Sequence, residues 1–505
     1  MHPDLSLGHW FASRAAITPN RRALTFEGTT WSYGEMQERI DCTARNLQEG
    51  GVCHGDRVAF LGLNQPSFFL SLFATARLGA IFVPLNFRLT GSELAFIIAD
   101  AGVHTLVADA QHREVADSIR GDVPVRRYVS DQAGDGWDAL DAGTRPLAAV
   151  EPVDADEVAI IMYTSGTTGL PKGAMLTHAN LWWNNTNAMH QFDVLEDDVT
   201  LVVAPLFHIG GLNVTTLLTL QKGGEVVLHR MFDPSACIED IVRYGVTTMF
   251  GVPAMFLFMS QVPGFDEADL TTVRTLVCGG APVPEPLIKL FNGRGVPINQ
   301  GYGLTETAPM VSFLSPEWSL AKLGSAGKAP LFGQIRIVDM ENRPVTTPDV
   351  DGEVCTRGPN VMKGYWRRPD ATAAAIDSEG WFHTGDIGHL DADGFLYIAD
   401  RVKDMVISGG ENVYPAEVES VLFDHPGVAD VAVIGLPDER WGEAVVAVIA
   451  PHAGLGITLE ELREFAGERL ARYKLPTRVE FVEILPRNPA GKVLKFELRE
   501  RFTTG

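Results

Sequence analysis

Positions 162 to 173 read Met162-Tyr-Thr-Ser-Gly-Thr-Thr-Gly-Leu-Pro-Lys-Gly173. Thr164, Ser165, Gly166, Thr167 and Thr168 set hydroxyls and a glycine ahead of one cation, Lys172. Glycine lets successive backbone N–H groups turn toward one point, hydroxyls add donors, and the ammonium adds charge. That combination suits a polyphosphate. The common phosphate loop, G-x-x-x-x-G-K-[ST], is absent, because the glycine–lysine spacing differs. A plain Gly/Thr turn between two elements is the competing reading.

A loop of this kind needs rigid elements around it. The apolar run at residues 158–162 reads as a buried strand ahead of it, and the residues after Gly173 have helical character. Strand-like runs at residues 57–62, 80–85, 200–206, 225–228, 248–252 and 275–278 alternate with helix-like segments. Thr90-Gly-Ser-Glu93 supplies a capping box, in which the threonine caps a helix start and the glutamate reaches back. Alternation of this type predicts an α/β protein with mainly parallel sheets flanked by helices. From about Gly324 the texture shifts to short strands and turns, at residues 334–338, 352–356 and 394–399, predicting a small β-rich subdomain. Beyond Asp400 it shifts again, to a helix at 415–423, a strand at 428–434, a helix at 458–470 and a lysine-bearing loop. The predicted division is an N-terminal domain over 1–400, a hinge at 401–404 and a C-terminal domain over 405–505.

Composition limits the function classes. At 505 residues the chain exceeds one ordinary core. Its 41 basic and 64 acidic residues give a net charge of −23, a field that repels nucleic acid and anionic membrane. Any anionic ligand must therefore be held by local donors. Cys42, Cys53, Cys237, Cys278 and Cys355 are scattered and show no C-x-x-C spacing, which argues against disulfides and zinc and for a reducing compartment. The amino terminus carries neither a cationic nor an apolar leader region, and the apolar stretch at 68–85 is interrupted by Arg77. A cytoplasmic enzyme with no transmembrane segment is expected.

Several further motifs occur in a fixed order: Gly279-Gly-Ala-Pro282, Gln300-Gly-Tyr-Gly-Leu-Thr-Glu-Thr307, Trp381-Phe-His-Thr-Gly-Asp386, Asp400-Arg-Val-Lys-Asp404, Ser408-Gly-Gly-Glu-Asn412 and the segment from Pro486 to Lys495. Together with the loop at 163–173 they resemble the AMP-forming acyl-CoA synthetases, in the superfamily that also holds firefly luciferase and nonribosomal peptide adenylation domains. The resemblance spans nearly the whole chain. It implies a large domain of two flanked sheets with a small β-barrel-like subdomain, followed by a smaller, mobile α+β domain. It also implies a two-step reaction using ATP, Mg2+ and CoA. A carboxylate attacks the α-phosphate and expels pyrophosphate; the CoA thiol then attacks the acyl-adenylate and expels AMP. Both steps move anionic charge, so positioning and electrostatic stabilisation carry the catalysis.

By that resemblance, Tyr302 stacks on adenine, Thr305 donates to the α-phosphate and Glu306 holds Mg2+, a hard ligand for a hard cation. Gly280, Ala281 and Pro282 leave room for the adenine ring. Asp386 accepts from the ribose hydroxyls, with Arg401 beside it. Lys492 stabilises charge developing during adenylation, with Lys495 the competing lysine. Lys403 sits at the hinge, about which the small domain rotates between steps. Gly409 and Gly410 then line the pantetheine tunnel, with Trp441 and Lys474 as weaker CoA candidates. His208, in Pro205-Leu-Phe-His-Ile-Gly-Gly211, resembles the gate between the acyl pocket and that tunnel.

Residues expected to line the acyl pocket are Val252, Cys278, Gly279, Gly303, Leu304 and Met310. They are apolar and several are small, with no cation to meet a second carboxylate. A bulky hydrophobic acid is expected, whether medium- to long-chain fatty, arylpropenoic or polycyclic. A homodimer is a further expectation. Two alternatives stay open: an adenylating enzyme that loads a carrier protein, and a non-catalytic acyl-nucleotide binder, which would have no need of Lys492.

Overall fold

The computed structural model describes the chain apart from residues 1–3, 133, 135, 141–146, 148–151, 165–170, 282, 402–403, 409–410, 439–440, 453–455, 468, 471, 488–492 and 504–505. Two compact units are present, Met1–Ile335 with Thr356–Phe382, and Arg336–Cys355 with His383–Gly505.

The first unit is built on two eight-stranded mixed sheets. One runs Met310–Leu314, Ile298–Gly303, Thr275–Gly279, Thr248–Gly251, Val199–Val202, Glu225–Leu228, Arg22–Phe26 and Thr29–Ser32. Its interior is parallel and its two outermost strands are antiparallel to their neighbours. The other runs Gly364–Tyr365, Lys172–Thr177, Val158–Thr164, Ile81–Leu85, Arg57–Leu61, Thr105–Ala108, Arg127–Ser130 and Asp138–Ala139. Strands such as Ile81–Leu85 and Thr275–Gly279 are buried along their whole length. That explains their unbroken apolar sequence, since parallel strands covered on both faces lose the polar alternation of exposed sheets. The predicted capping box forms, with Glu93 N–H on Thr90 and the Glu93 carboxylate on the Thr90 N–H at 2.8 Å.

One local expectation fails. The residues after Gly173 do not begin a helix. They form the strand Lys172–Thr177, antiparallel to Val158–Thr164, and the helix His178–Met189 starts only after Thr177 caps it. The cap sets the boundary, because Thr177 Oγ1 accepts from Asn180 N–H at 3.0 Å and holds its own residue extended. The strands on either side of residues 165–170 therefore pair as an antiparallel hairpin rather than meeting at a strand–helix junction.

In the second unit, the strands Leu396–Arg401, Phe382–Leu390, Gly352–Arg357, Gln334–Val338 and Pro344–Val345 lie side by side. A second sheet carries Glu411–Val413, Val406–Ser408, Gly442–Pro451 and Val428–Asp438, with Arg478–Phe481 parallel to Gly442–Pro451. Val433 and Val445 face a core with Val418, Leu422 and Leu462. Ile434 and Val446 face the other side, toward Leu498 of the helix Lys495–Thr503. No helix among the described residues is long and apolar enough to cross a membrane.

Candidate active site

Three parallel strands of the first sheet end together, with Gly251 opposite Cys278 and Gly279 opposite Gly301. Open α/β sheets bind ligands at such carboxyl edges. Gly280 lies just past the edge at φ +83°, a left-handed conformation that glycine adopts without strain. Gly280 and Ala281 are exposed and Tyr302 is half-buried; Pro282 lies outside the described residues. After Gly303, the single turn Thr305–Thr307 carries Thr305 outward and Glu306 inward, the latter only 8% exposed.

Three buried asparagines fix that turn. Asn213 donates to the Ala308 carbonyl at 2.7 Å, and Asn360 donates to the carbonyls of Thr307 and Met310 at 2.6 and 2.7 Å. Asn184 accepts from the Met310 N–H at 3.1 Å. Burying an amide side chain is costly unless it is bonded, so these contacts make the turn rigid.

Glu306 joins the two sheets of this unit. Its Oε1 accepts from Thr164 Oγ1 at 3.2 Å and from the Tyr365 hydroxyl at 3.0 Å. Thr164 is in register with Lys172, whose ammonium stands 5.3 Å from the centroid of the Tyr365 ring. A hydroxyl, a cation and a carboxylate thus meet at the mouth of the hairpin. Burial and the Glu306 carboxylate push the Tyr365 phenol above its usual value, so it remains a protonated donor. Ser165, Gly166, Thr167 and Thr168 lie outside the described residues. The hairpin base is braced by Tyr163, whose hydroxyl donates to Asp100 at 2.7 Å while Arg368 pairs with the other oxygen of that carboxylate.

The apolar candidates fall on two faces of the sheet. Met310 packs with Val277, Phe313 and Phe250. Cys278, one residue on from Val277, faces the opposite core with Leu276 and Phe291, and burial pushes its thiol up. Leu304 packs against the main core, Val252 is half-buried and Gly303 is exposed. Phe250, absent from the expected set, packs over Gly210, where a Cβ would come within 2.8 Å of its ring; at Gly279 a Cβ would instead meet the Gly301 carbonyl of the neighbouring strand, also at 2.8 Å. Gly210 makes way for an aromatic wall. His208 precedes the helix Ile209–Asn213 and lies 4.3 Å from the Phe207 ring, centroid to centroid. Its Nε2 is enclosed and has no hydrogen-bond partner among the described residues, and burial lowers its pKa to about 4, so the imidazole is neutral near pH 7.

In the second unit Asp386, buried, sits in register with Arg401 on the neighbouring strand. Glu353 shapes the approach to Asp386, accepting from Gly385 N–H at 3.1 Å and from His383 Nδ1 at 2.8 Å. Lys474 is engaged by both oxygens of Glu417 at 2.7 Å, and Trp441 is exposed. Lys495 is fixed to Glu419 at 2.7 Å. Lys492, Lys403, Gly409 and Gly410 lie outside the described residues.

A family model described as AMP-binding enzyme matches residues 11–366, and one described as AMP-binding enzyme C-terminal domain matches residues 417–492. The chain belongs to the AMP-binding enzyme family. This AMP-binding enzyme is similar to a feruloyl-CoA synthase of Amycolatopsis sp, 46% identical over 496 residues, covering 98% of this chain and 99% of the relative. It is similar also to the long-chain-fatty-acid–CoA ligase FadD13 of Mycobacterium tuberculosis, 40% identical, with 99% of each covered. Among solved structures it resembles O-succinylbenzoate coenzyme A synthetase from Bacillus subtilis in complex with ATP and magnesium ion. That match has a TM-score of 0.87 and 35% identity, covering 97% of this chain and 98% of the other.

Tyr365, Glu353, Phe250 and the three asparagines were beyond sequence reasoning. Only Tyr365 left a signal, as an aromatic immediately after a glycine in Met362-Lys-Gly-Tyr365.

Proposed function

We propose that this AMP-binding enzyme activates a hydrophobic carboxylic acid with ATP and transfers the acyl group to CoA, releasing pyrophosphate and then AMP. It is an acid–thiol ligase, as its relatives are named. The observation that carries the reading is the meeting of Thr164, Lys172 and Glu306 at the hairpin mouth.

Each group has a task there. The Lys172 ammonium binds phosphate oxygens, with residues Ser165 to Thr168 contributing donors, while the Thr164 hydroxyl beside them holds Glu306. Glu306 fits Mg2+ by its chemistry, being a carboxylate beside a hydroxyl, both hard oxygen donors. When bound, the ion neutralises phosphate charge. Thr305 donates to the α-phosphate, Tyr302 stacks on adenine against Gly280, Ala281 and Pro282, and Asp386 with Arg401 holds the ribose. Lys492 stabilises the charge that develops as the acid attacks; the other lysine of that segment is tied to Glu419. His208, neutral and enclosed, orients or gates and is no proton acceptor. Lys403 serves as the hinge between a domain over residues 1–400 and one over 405–505. Gly409, Gly410, Trp441 and Lys474 face CoA, although Lys474 must first leave Glu417.

For the acid, we favour flat aryl substrates of the arylpropenoic type over saturated long chains. The Phe250 ring, against Gly210 and beside Met310, offers an aromatic face on which a flat aryl acid can stack. The enzyme acts in the cytoplasm; no disulfide joins any of its five cysteines.

The test is pyrophosphate release with ATP and Mg2+ across hydroxycinnamates, graded fatty acids and polycyclic acids, with and without CoA. Turnover that requires CoA and yields an aryl thioester supports the reading. A single burst that CoA does not stimulate would point to a carrier protein instead, and fastest turnover of long-chain acids would overturn the aryl assignment.

A further inference from the structure

Glu306 and Lys172 lie at the same hairpin mouth, yet among the described residues no ion pair joins them; Tyr365 stands in contact with both. We propose that Tyr365 is a positioning residue, which keeps this carboxylate and this ammonium from neutralising each other and leaves Glu306 Oε2 open to the divalent cation of a bound nucleotide. The proposal rests on the functional reading above.

The arrangement on Glu306 is asymmetric. Two hydroxyls, from Thr164 and Tyr365, both donate to Oε1, while among the described residues Oε2 accepts no hydrogen bond. A carboxylate bonded on one oxygen is fixed in rotation and presents the other. On the opposite side, the ring attracts the Lys172 ammonium through its quadrupole and consumes none of its N–H donors. A direct Lys–Glu pair would have occupied both groups. Tyr365 gives each a partner that leaves its reactive part available.

The backbone around Tyr365 makes the spacing rigid. Gly364–Tyr365 pairs with the strand that carries Lys172, Tyr365 opposite Ala174 and Gly364 opposite Met175. The Tyr365 N–H donates to Thr372 Oγ1 at 2.9 Å. Three residues earlier, the Met362 N–H donates to the Glu306 carbonyl at 2.8 Å. One short segment thus fastens both the strand bearing the cation and the turn bearing the carboxylate. Outer partners of this kind typically change metal affinity about 10- to 100-fold when removed.

The experiment compares wild type, Tyr365→Phe and Tyr365→Leu as full-length proteins. Calorimetry measures binding of α,β-methylene ATP across a Mg2+ series and of AMP without metal, with the thermal midpoint of each protein alongside. Tyr365→Phe keeps the ring and loses the hydroxyl. The Mg2+ concentration for half-maximal analogue binding should rise about tenfold, with AMP affinity and thermal midpoint unchanged. Tyr365→Leu should add a loss of analogue affinity in the absence of Mg2+, because Lys172 loses its ring. An unchanged Mg2+ midpoint in Tyr365→Phe, or equal weakening of AMP and the analogue, would overturn the proposal. A wild type that binds the analogue with no dependence on Mg2+ would overturn the functional reading itself, and the proposal with it.

Discussion

The hairpin mouth and the aromatic wall are both organised around one aromatic residue, and they use it in opposite ways. At the mouth, Tyr365 works through its polar atom and its ring face, donating to Glu306 and lying beneath Lys172. At the wall, Phe250 works through bulk alone, seated where Gly210 has no side chain. The first region is defined by hydrogen bonds, whose loss leaves buried polar groups unpaired. The second is defined by volume, whose loss changes what fits. Damage at the mouth should therefore stop the reaction for every acid, whereas damage at the wall should change the ranking of acids.

The largest effects belong to the charge-stabilising groups. Lys492→Ala should abolish acid-dependent pyrophosphate release, by about 10²–10³ or more, while largely sparing thioester formation from supplied acyl-adenylate. Equal loss of both steps in a stopped-assay comparison would remove Lys492 from adenylation. Glu306→Gln should slow pyrophosphate release about 10²-fold for all acids alike, with the loss partly recovered at high Mg2+. A loss confined to one class of acid would erase the contrast between the two regions.

Phe250→Ala should change the ratio of kcat/KM between a long-chain acid and a hydroxycinnamate by about tenfold in favour of the longer acid, which is the scale at which apolar pockets discriminate. Gly210→Ala should act in the opposite sense, because the new methyl meets the Phe250 ring. Overpacking of that kind costs about 1–3 kcal/mol and should appear as a lower unfolding midpoint. If both substitutions change all acids equally, the wall is not a specificity element.

The smallest effect on turnover is expected from pH, which acts on stability instead. Burial holds both the His208 and the His178 imidazoles at a pKa of about 4. In the unfolded chain they return to about 6.5, so the unfolded state binds more protons between those values. Stability from this source is complete above pH 6.5 and is lost as pH falls toward 4. Thermal midpoints across that window should rise with pH, and His208→Gln should flatten part of the rise. kcat/KM should show no titration of His208 near 6.5.

The same contrast explains what the sequence reveals. The polar region announces itself, since Thr164, Lys172, Glu306 and Asp386 are chemically distinctive letters in short motifs, and the strand runs that carry them are apolar throughout. The strand at 225–228 and the helix at 415–423 form over those residues, because each has a clear apolar pattern and sharp ends. Shape is less legible. Gly210 and Gly279 suggest open space, but a glycine makes room without saying for what: at Gly210 the neighbour is the Phe250 ring, at Gly279 the Gly301 carbonyl of the next strand. The expected lining of small apolar residues does not include that ring for this reason. Cys278 likewise carries no mark of which sheet face it takes. The strand Lys172–Thr177 was hidden because Lys-Gly-Ala-Met-Leu-Thr lacks β-branched residues apart from its last, and antiparallel pairing with Val158–Thr164 outweighs that weak local preference. Tyr365 and Glu353 act through partners distant in sequence, to which local patterns are blind.

The most direct test of the account is ATP–pyrophosphate exchange without CoA, which isolates adenylation, measured for wild type, Glu306→Gln and Phe250→Ala against a hydroxycinnamate and a long-chain acid. On this account, exchange should require acid and Mg2+, fall for both acids in Glu306→Gln and, in Phe250→Ala, shift in ratio by about tenfold toward the longer acid. Exchange that proceeds without acid, or that survives Glu306→Gln undiminished, would contradict it.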